Sequence, residues 1–302
     1  MSISVVIPCY NQGRFLRDAI ETVLRQSRPP EEVIVVDDGS TDETPRVCSE
    51  YGGALIYIRQ ANAGLSAARN TGIRAASSDY VQFLDADDLL RASALEESLA
   101  TAARETTAAV VYGSWDEIDE TGTLTAHVDA TPLGDDAYHA LFDPLAIGPP
   151  CRFMVRRDAL IEVGLFDTGL RSCEDWDLWL RLAFSGCRFT SSPAAVAVYR
   201  RHEAAMSRNH ERMWKSGSEV LRRARDRHDC AVCAVSFDVA LGRWREYCYL
   251  STLRADVRAA VHGRRLGRGL ALSARAVAYD RGVVRLLAGS AVRNLRRARR
   301  VQ

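Results

Sequence analysis

No stretch of this chain stays apolar for the roughly 20 residues that a bilayer-spanning helix needs, so none is expected. The opening residues, MSISVVIPCYNQGRF, have no basic n-region and no cleavage-type end, so they do not read as a secretory signal. Cysteines number 8 and are scattered. Only Cys230 and Cys233 form a C-x-x-C pair, with no second pair and no matching histidine pair beside it. That is weak grounds for zinc, and CAVCAVSF reads as small apolar residues on a helix. Lone cysteines acting as small hydrophobes suit a reducing compartment. The expected location is the cytoplasm. There is no internal repeat and no long low-complexity tract. Lysine is nearly missing from the last third, whose basic residues are almost all arginine.

What is present is the composition of an ordinary globular protein, 47% hydrophobic and 26% charged. A length of 302 residues accommodates one large α/β domain with an appendage, or two domains. The net charge of +1 conceals an asymmetry. Residues 201–302 hold 23 Lys+Arg against 9 Asp+Glu, and the other 200 residues hold 17 against 30. The basic last third points to an anionic partner.

The first half alternates strands and helices at short spacing. ISVVI (3–7) reads as a strand, and 13–25 has apolar residues at helical spacing. EVIVV (32–36) is a buried strand. A helix over 41–51 would take Ser40 or Thr41 as N-cap. ALIYI (54–58), a helix over 65–76, YVQFL (80–84), a helix around 93–104 and a strand at 109–112 follow. This order predicts βαβ units and a mostly parallel sheet. Residues 113–150, rich in Gly and Pro, read as loops with short strands. A strand near 153–156, helices over 158–163 and 174–185 stopped by Gly186, and a strand ending at Arg200 come next. From about 204 onward the chain reads as helices.

Ligands of such sheets bind beyond the carboxyl ends of the strands, and polar residues collect there. FLDADDLL places Asp85, Asp87 and Asp88 after a buried strand. Hard oxygen ligands in that position suit Mg²⁺ or Mn²⁺ with a substrate phosphate; the plain alternative is acids at a helix start. Asp37-Asp38-Gly39-Ser40 is either a carboxylate for a base N–H or sugar hydroxyl, or a simple Asp-Gly turn. In NAGLSAARNTG, Arg69 could meet a phosphate or pair with the acidic cluster. In SCEDWDLW, a carboxylate at an exposed helix start could act as general base, though helix-start electrostatics accounts for Glu174 and Asp177. His202, in YRRH, is either a third metal ligand or a phosphate contact, or a surface residue beside two arginines.

Taken together, SVVIPCYNQGRFLRDAIETVLRQSRPPEEVIVVDDGSTDET, NAGLSAARNTGIRAASSDYVQFLDADD, VGLFDTGLRSCEDWDLWLRLAFSG and YRRH resemble the family-2 glycosyltransferases of the GT-A fold, in order and spacing over about residues 3–202. The resemblance implies a Rossmann-like nucleotide-sugar-binding domain (1–203) with a basic, mainly helical extension (204–302). It implies that Pro8, Tyr10 and Asp38 hold the nucleotide base and ribose. Asp85 and Asp87 match the DxD motif, with Asp87 touching a Mn²⁺ or Mg²⁺ ion and Asp85 serving the ribose or the metal's water shell. Asp175 matches the catalytic base, and His202 a histidine that meets metal or diphosphate in some members. Arg69 is placed with the donor-binding residues. The implied reaction is an inverting, single-sugar transfer from a nucleotide-diphosphate sugar, expected to be a UDP-sugar. The acceptor would be a saccharide or lipid-linked hydroxyl in cell-surface polysaccharide or glycolipid synthesis. The Q-x-x-R-W element of processive members is absent: Trp244-Arg245 lacks the glutamine and lies in the helical tail.

Two other readings compete. A sugar-1-phosphate nucleotidyltransferase would want a glycine-rich, basic phosphate loop after the first strand, whereas PCYNQGRF has one glycine and no lysine. An inactive, membrane-associated scaffold is disfavoured by the intact Asp87 and Asp175. The final stretch interleaves Leu270, Leu272, Val277, Val283, Val284, Leu286, Leu287 and Val292 with arginines. That pattern fits either a basic amphipathic helix on an anionic membrane, at its inner face, or a helical cap. The tail has few aromatics and no nucleic-acid motif, so nucleic acid is not an expected partner.

Overall fold

A computed structural model of the chain describes residues 1–228 and 230–251. The chain divides into two compact units, Met1–Ala205 and a second that begins at Met206. The first unit runs β1 (Ile3–Cys9), α1 (Gly13–Leu24), β2 (Glu32–Asp37), α2 (Thr44–Ser49), β3 (Ile56–Arg59), α3 (Leu65–Ala75), β4 (Tyr80–Phe83), β5 (Leu89–Leu90), α4 (Ala94–Arg104) and β6 (Ala108–Asp119). It continues with β7 (Leu124–Val128), α5 (Ala137–Ala140), β8 (Phe153–Arg156), α6 (Arg157–Glu162), α7 (Glu174–Phe184) and β9 (Arg188–Arg201).

Among the described residues, all nine strands join one sheet in the order β3-β2-β1-β4-β8-β6-β9-β5, with β7 on β6. β1, β2, β3 and β4 run parallel, as do β6 and β9, while β8, β5 and β7 pair antiparallel. β1 is buried along its whole length, as a nearly continuous β-branched run covered on both faces must be. α1 buries Phe15, Leu16, Ala19, Ile20 and Val23. α3 lies so close to β1 that a Cβ on Gly72 would sit 2.3 Å from Val6 Cγ1. The chain lays β2 and β3 on one side of β1, then crosses to lay β4 on the other. That reversal opens a crevice at the carboxyl ends of β1 and β4, where α/β sheets bind ligands.

Two details depart from the sequence reading. α2 begins at Thr44 and is not capped by Ser40 or Thr41; the Ser40 hydroxyl accepts the Asn11 N–H at 3.0 Å instead. Asp42 Oδ1 accepts the Thr44 N–H at 3.0 Å and so fixes the helix start. β6 does not end at Tyr112 but runs to Asp119, paired in parallel with β9 from Arg188 to Arg201. Gly113 inside it leaves room for Val196, whose Cγ2 would lie 2.7 Å from an added Cβ. α7 stops as expected: Gly186 adopts φ +87, and the Gly186 and Cys187 N–H groups close onto the Ala183 and Leu182 carbonyls.

The second unit opens with α8 (His210–Arg227) and α9 (Ala231–Arg245), followed by a π-helical turn, Glu246–Ser251. Trp244 Nε1 donates to the Met213 carbonyl at 3.2 Å, and Gly217 lets its indole approach. No helix among the described residues is long and apolar enough to cross a membrane. The arginine-rich stretch suggested for membrane contact, 270–292, lies outside the described residues.

Candidate active site

The loops after β1 and β2 are tied to each other. Asn11 takes the left-handed conformation (φ 53), and its Oδ1 accepts the Thr41 N–H at 2.8 Å. Pro8 is buried within β1, while Tyr10 beyond it is 51% exposed and available to a ligand. Asp37 accepts the Ser40 N–H and the Tyr57 hydroxyl; burial, then this bond, pushes the Tyr57 phenol up. Asp38 Oδ1 accepts from Gln60 Nε2 and the Ala63 N–H, and its Oδ2 accepts the Gly64 N–H at 2.8 Å. This carboxylate therefore shapes the loop that leads into α3.

Arg69, on α3, is 1% exposed and joins two parts of the chain. Nη2 donates to Asp85 Oδ1 at 2.7 Å and Nη1 to Glu174 Oε1 at 2.6 Å. Burial opposes the guanidinium charge, but Asp85, Glu174 and Asp175 more than offset it and hold its pKa above the ordinary value. Next to it, Asn70 exchanges two hydrogen bonds with the backbone of Phe166, each 2.9 Å. α3 thereby fixes both the acidic loop and the segment that leads to α7.

Asp87 Oδ2 lies 2.8 Å from His202 Nε2 and 3.5 Å from Gln12 Nε2. His202 is 4% exposed, rests against the Phe15 ring at 5.0 Å, and has no hydrogen-bond partner at Nδ1. Asp88 is fully buried, and its Oδ1 accepts the Arg200 N–H at 2.9 Å. Burial, with Asp87 and Asp85 nearby, pushes its carboxyl well up. Arg200 Nε donates to the Asp87 carbonyl at 3.1 Å. The end of β9 thus grips the acidic loop at two successive residues.

The three acids that open α7 separate in function. The helix starts from Cys173 in the left-handed region (φ 58), with no side-chain cap. Glu174 is taken by Arg69, and Asp177 Oδ2 accepts from Arg181 Nε at 2.7 Å. Asp175 is only half-buried, and its Oδ1 accepts the Trp176 N–H at 2.8 Å. Burial raises its pKa first and the Glu174 charge second; Arg69 and the Trp176 N–H oppose them, and the carboxyl ends pushed up to about 7. A carboxylate poised there can take a proton near neutral pH.

The structure therefore brings Arg69, Asp85, Glu174 and Asp175 into one electrostatic cluster, and Asp87 and His202 into direct contact. Asp38, Tyr10 and Pro8 lie around the neighbouring ends of β1 and β2. Sequence reasoning passed over Glu174 as a helix-start acid, and it missed Arg200 and Gln12. Arg200 at the end of β9 and His202 just beyond it were the available signal, since residues two apart along an extended chain share a face.

The chain is similar to several known proteins. The model of the Glycosyl transferase family 2 matches residues 4–164. Glycosyltransferase GlyA of Streptococcus pneumoniae is 36% identical over 149 residues, 48% of this chain and 21% of that protein. The chain thus spans about a fifth of that relative's length. S. aureus TarS (residues 1–349) in complex with UDP superimposes with a TM-score of 0.61 at 19% identity, covering 83% of this chain and 73% of that one. Mannosyltransferase PcManGT from Pyrobaculum calidifontis, in complex with GDP-Man and Mn²⁺, gives 0.58 at 21% identity, covering 96% and 79%. The fold is GT-A, and the chain belongs to glycosyl transferase family 2.

Proposed function

We propose that the chain transfers a single sugar from a nucleotide-diphosphate sugar to an acceptor hydroxyl, with inversion at the anomeric carbon. The observation that carries this reading is Asp175: half-buried at the start of α7, with its carboxyl pushed up to about 7. In this reading Asp175 accepts the acceptor's proton as the oxygen attacks. Arg69 holds Asp85 and Glu174 in place beside it. Tyr10, Pro8 and Asp38 form the nucleotide end of the site, with Asp38 acting partly through the 60–64 loop that it braces. TarS with UDP and PcManGT with GDP-Man support a nucleotide-linked donor, and a UDP-sugar is the reading we adopt.

The donor set suits a hard divalent ion. Asp87 offers a carboxylate oxygen, and His202 Nε2 lies 2.8 Å from it, within reach of a shared ion. Asp87 and His202 would hold Mn²⁺ or Mg²⁺, with Asp85 toward its water shell or the ribose. A bound ion would stabilise the charge of a departing diphosphate. The first unit serves as the transfer domain, and the arginine-rich chain after residue 203 as an extension that meets an anionic membrane surface. The acceptor would be a saccharide or lipid-linked hydroxyl of cell-surface polysaccharide or glycolipid synthesis.

The deciding experiment is thermal unfolding against a panel of nucleotide sugars with and without Mn²⁺, followed by product analysis. Binding to the native state raises apparent stability. A nucleotide sugar that stabilises the protein only with Mn²⁺ and yields an inverted glycoside supports the proposal. Stabilisation by none of the panel, or a retained anomeric configuration, overturns it.

A further inference from the structure

The second unit carries a cluster that the transfer reaction does not use. At the turn joining α8 to α9, the His228 ring nitrogen and the Cys230 and Cys233 sulfurs all lie within 4.8 Å of one another. The Cys233 sulfur is 3.5 Å from His228 Nδ1. Two ligands of one tetrahedral zinc ion, at about 2.3 Å for sulfur and about 2.05 Å for nitrogen, stand about 3.6 Å apart. The observed separation matches that edge before any adjustment.

The local backbone supports a charged sulfur. Cys230 is the N-cap of α9, and its Sγ accepts the Cys233 N–H at 3.2 Å. A helix N-terminus and a donated N–H both favour negative charge on sulfur, the form that binds metal. Cys233, one turn into the helix, is fully buried, whereas His228 is exposed and Cys230 partly so. The soft sulfur of Cys233 is therefore shielded from solvent. The sequence spacing, His-x-Cys-x-x-Cys, brings all three to one tight connection without distant chain.

We propose that His228, Cys230 and Cys233 bind a thiophilic divalent metal, zinc foremost, with a solvent molecule or one further donor completing the shell. Two thiolates and an imidazole select zinc over magnesium and manganese, so this site is chemically distinct from the carboxylate site at Asp87. Its role is to clamp the α8–α9 turn, because metal bound only by the folded state adds to folding stability.

Cobalt loading of the full-length, reduced chain, free of affinity tags, is the test. We expect about one zinc-displaceable cobalt with a near-ultraviolet thiolate charge-transfer band. Asp87→Asn should leave that band in place, because the carboxylate site contributes no sulfur. Cys230→Ser and Cys233→Ser should each abolish it. His228→Ala, at an exposed position, should weaken cobalt binding more than about tenfold. Helical circular dichroism checks that each variant is folded; if Cys233→Ser unfolds, the other two decide. A wild-type protein with no thiolate band overturns the proposal, as does a band that persists in folded Cys230→Ser and His228→Ala.

Discussion

Arg69 and Glu174 stand 105 residues apart in sequence and are joined by a 2.6 Å hydrogen bond in the protein interior. Because Arg69 also holds Asp85, one guanidinium pairs with two carboxylates. Removing one partner of a buried pair leaves uncompensated charge and costs about 3–5 kcal/mol. Arg69→Ala should therefore lower stability by that order in urea unfolding. Arg69→Lys should recover only part of the loss, since a single ammonium cannot reach both carboxylates in the planar fork geometry.

Glu174→Gln keeps an oxygen for Arg69 but removes the charge that helps raise Asp175. The Asp175 carboxyl should then ionise at lower pH. The expected result is that the acid limb of the kcat/KM profile for sugar transfer, near pH 7 in the wild type, moves downward. An unmoved limb would assign it to another group.

Asp175→Asn should reduce transfer by at least about 100-fold, the scale of a general base, while leaving donor binding intact. The same variant carries a stability signature. Asp175 titrates near about 4 in an unfolded chain and at about 7 in the folded one. Between these values the folded state holds more protons, so wild-type stability falls as pH rises through the window. The Tm advantage of Asp175→Asn over the wild type should thus grow from pH 4 to pH 7 and then level off.

Asp87→Asn should remove the dependence of nucleoside-diphosphate binding on Mn²⁺, read by calorimetry with and without the ion. Asp87 and His202 are in contact, so their effects should not add. A double-mutant cycle with His202→Ala should give a coupling of about 0.5–3 kcal/mol.

Gly72→Ala tests the frame under the site. The new methyl would collide with Val6, both of whose γ-carbons lie within 3.1 Å of the built position. Overpacking of this kind costs about 1–3 kcal/mol, and Val6→Ala should restore part of it in denaturant unfolding.

Much of this was legible in the sequence. Buried β-branched runs announced β1 and β2, and amphipathic spacing announced α1 and α7. The strand-end acids were likewise visible. Three things were not. The length of β6 was hidden because Gly113, and the polar residues from Ser114 to Asp119, resemble a loop until the ten-residue pairing with β9 is in view. The start of α2 was misread because the Ser40 hydroxyl, a good local cap, is drawn away by Asn11. The choice between phosphate and carboxylate for Arg69 needed tertiary structure, since its partners come from two separate segments.

The grip of β9 on the acidic loop also acts as a proofreader of strand alignment. Asp88 reads the backbone at Arg200 and Asp87 reads the side chain at His202. A one-residue slip turns every side chain of a strand to the opposite face. It would offer Arg201 to Asp87 in place of an imidazole and strip Asp88, already buried, of its single N–H donor. Misaligned folding is therefore penalised at the same carboxylates that the chemistry needs, so a chain that assembles this sheet incorrectly also lacks a working site.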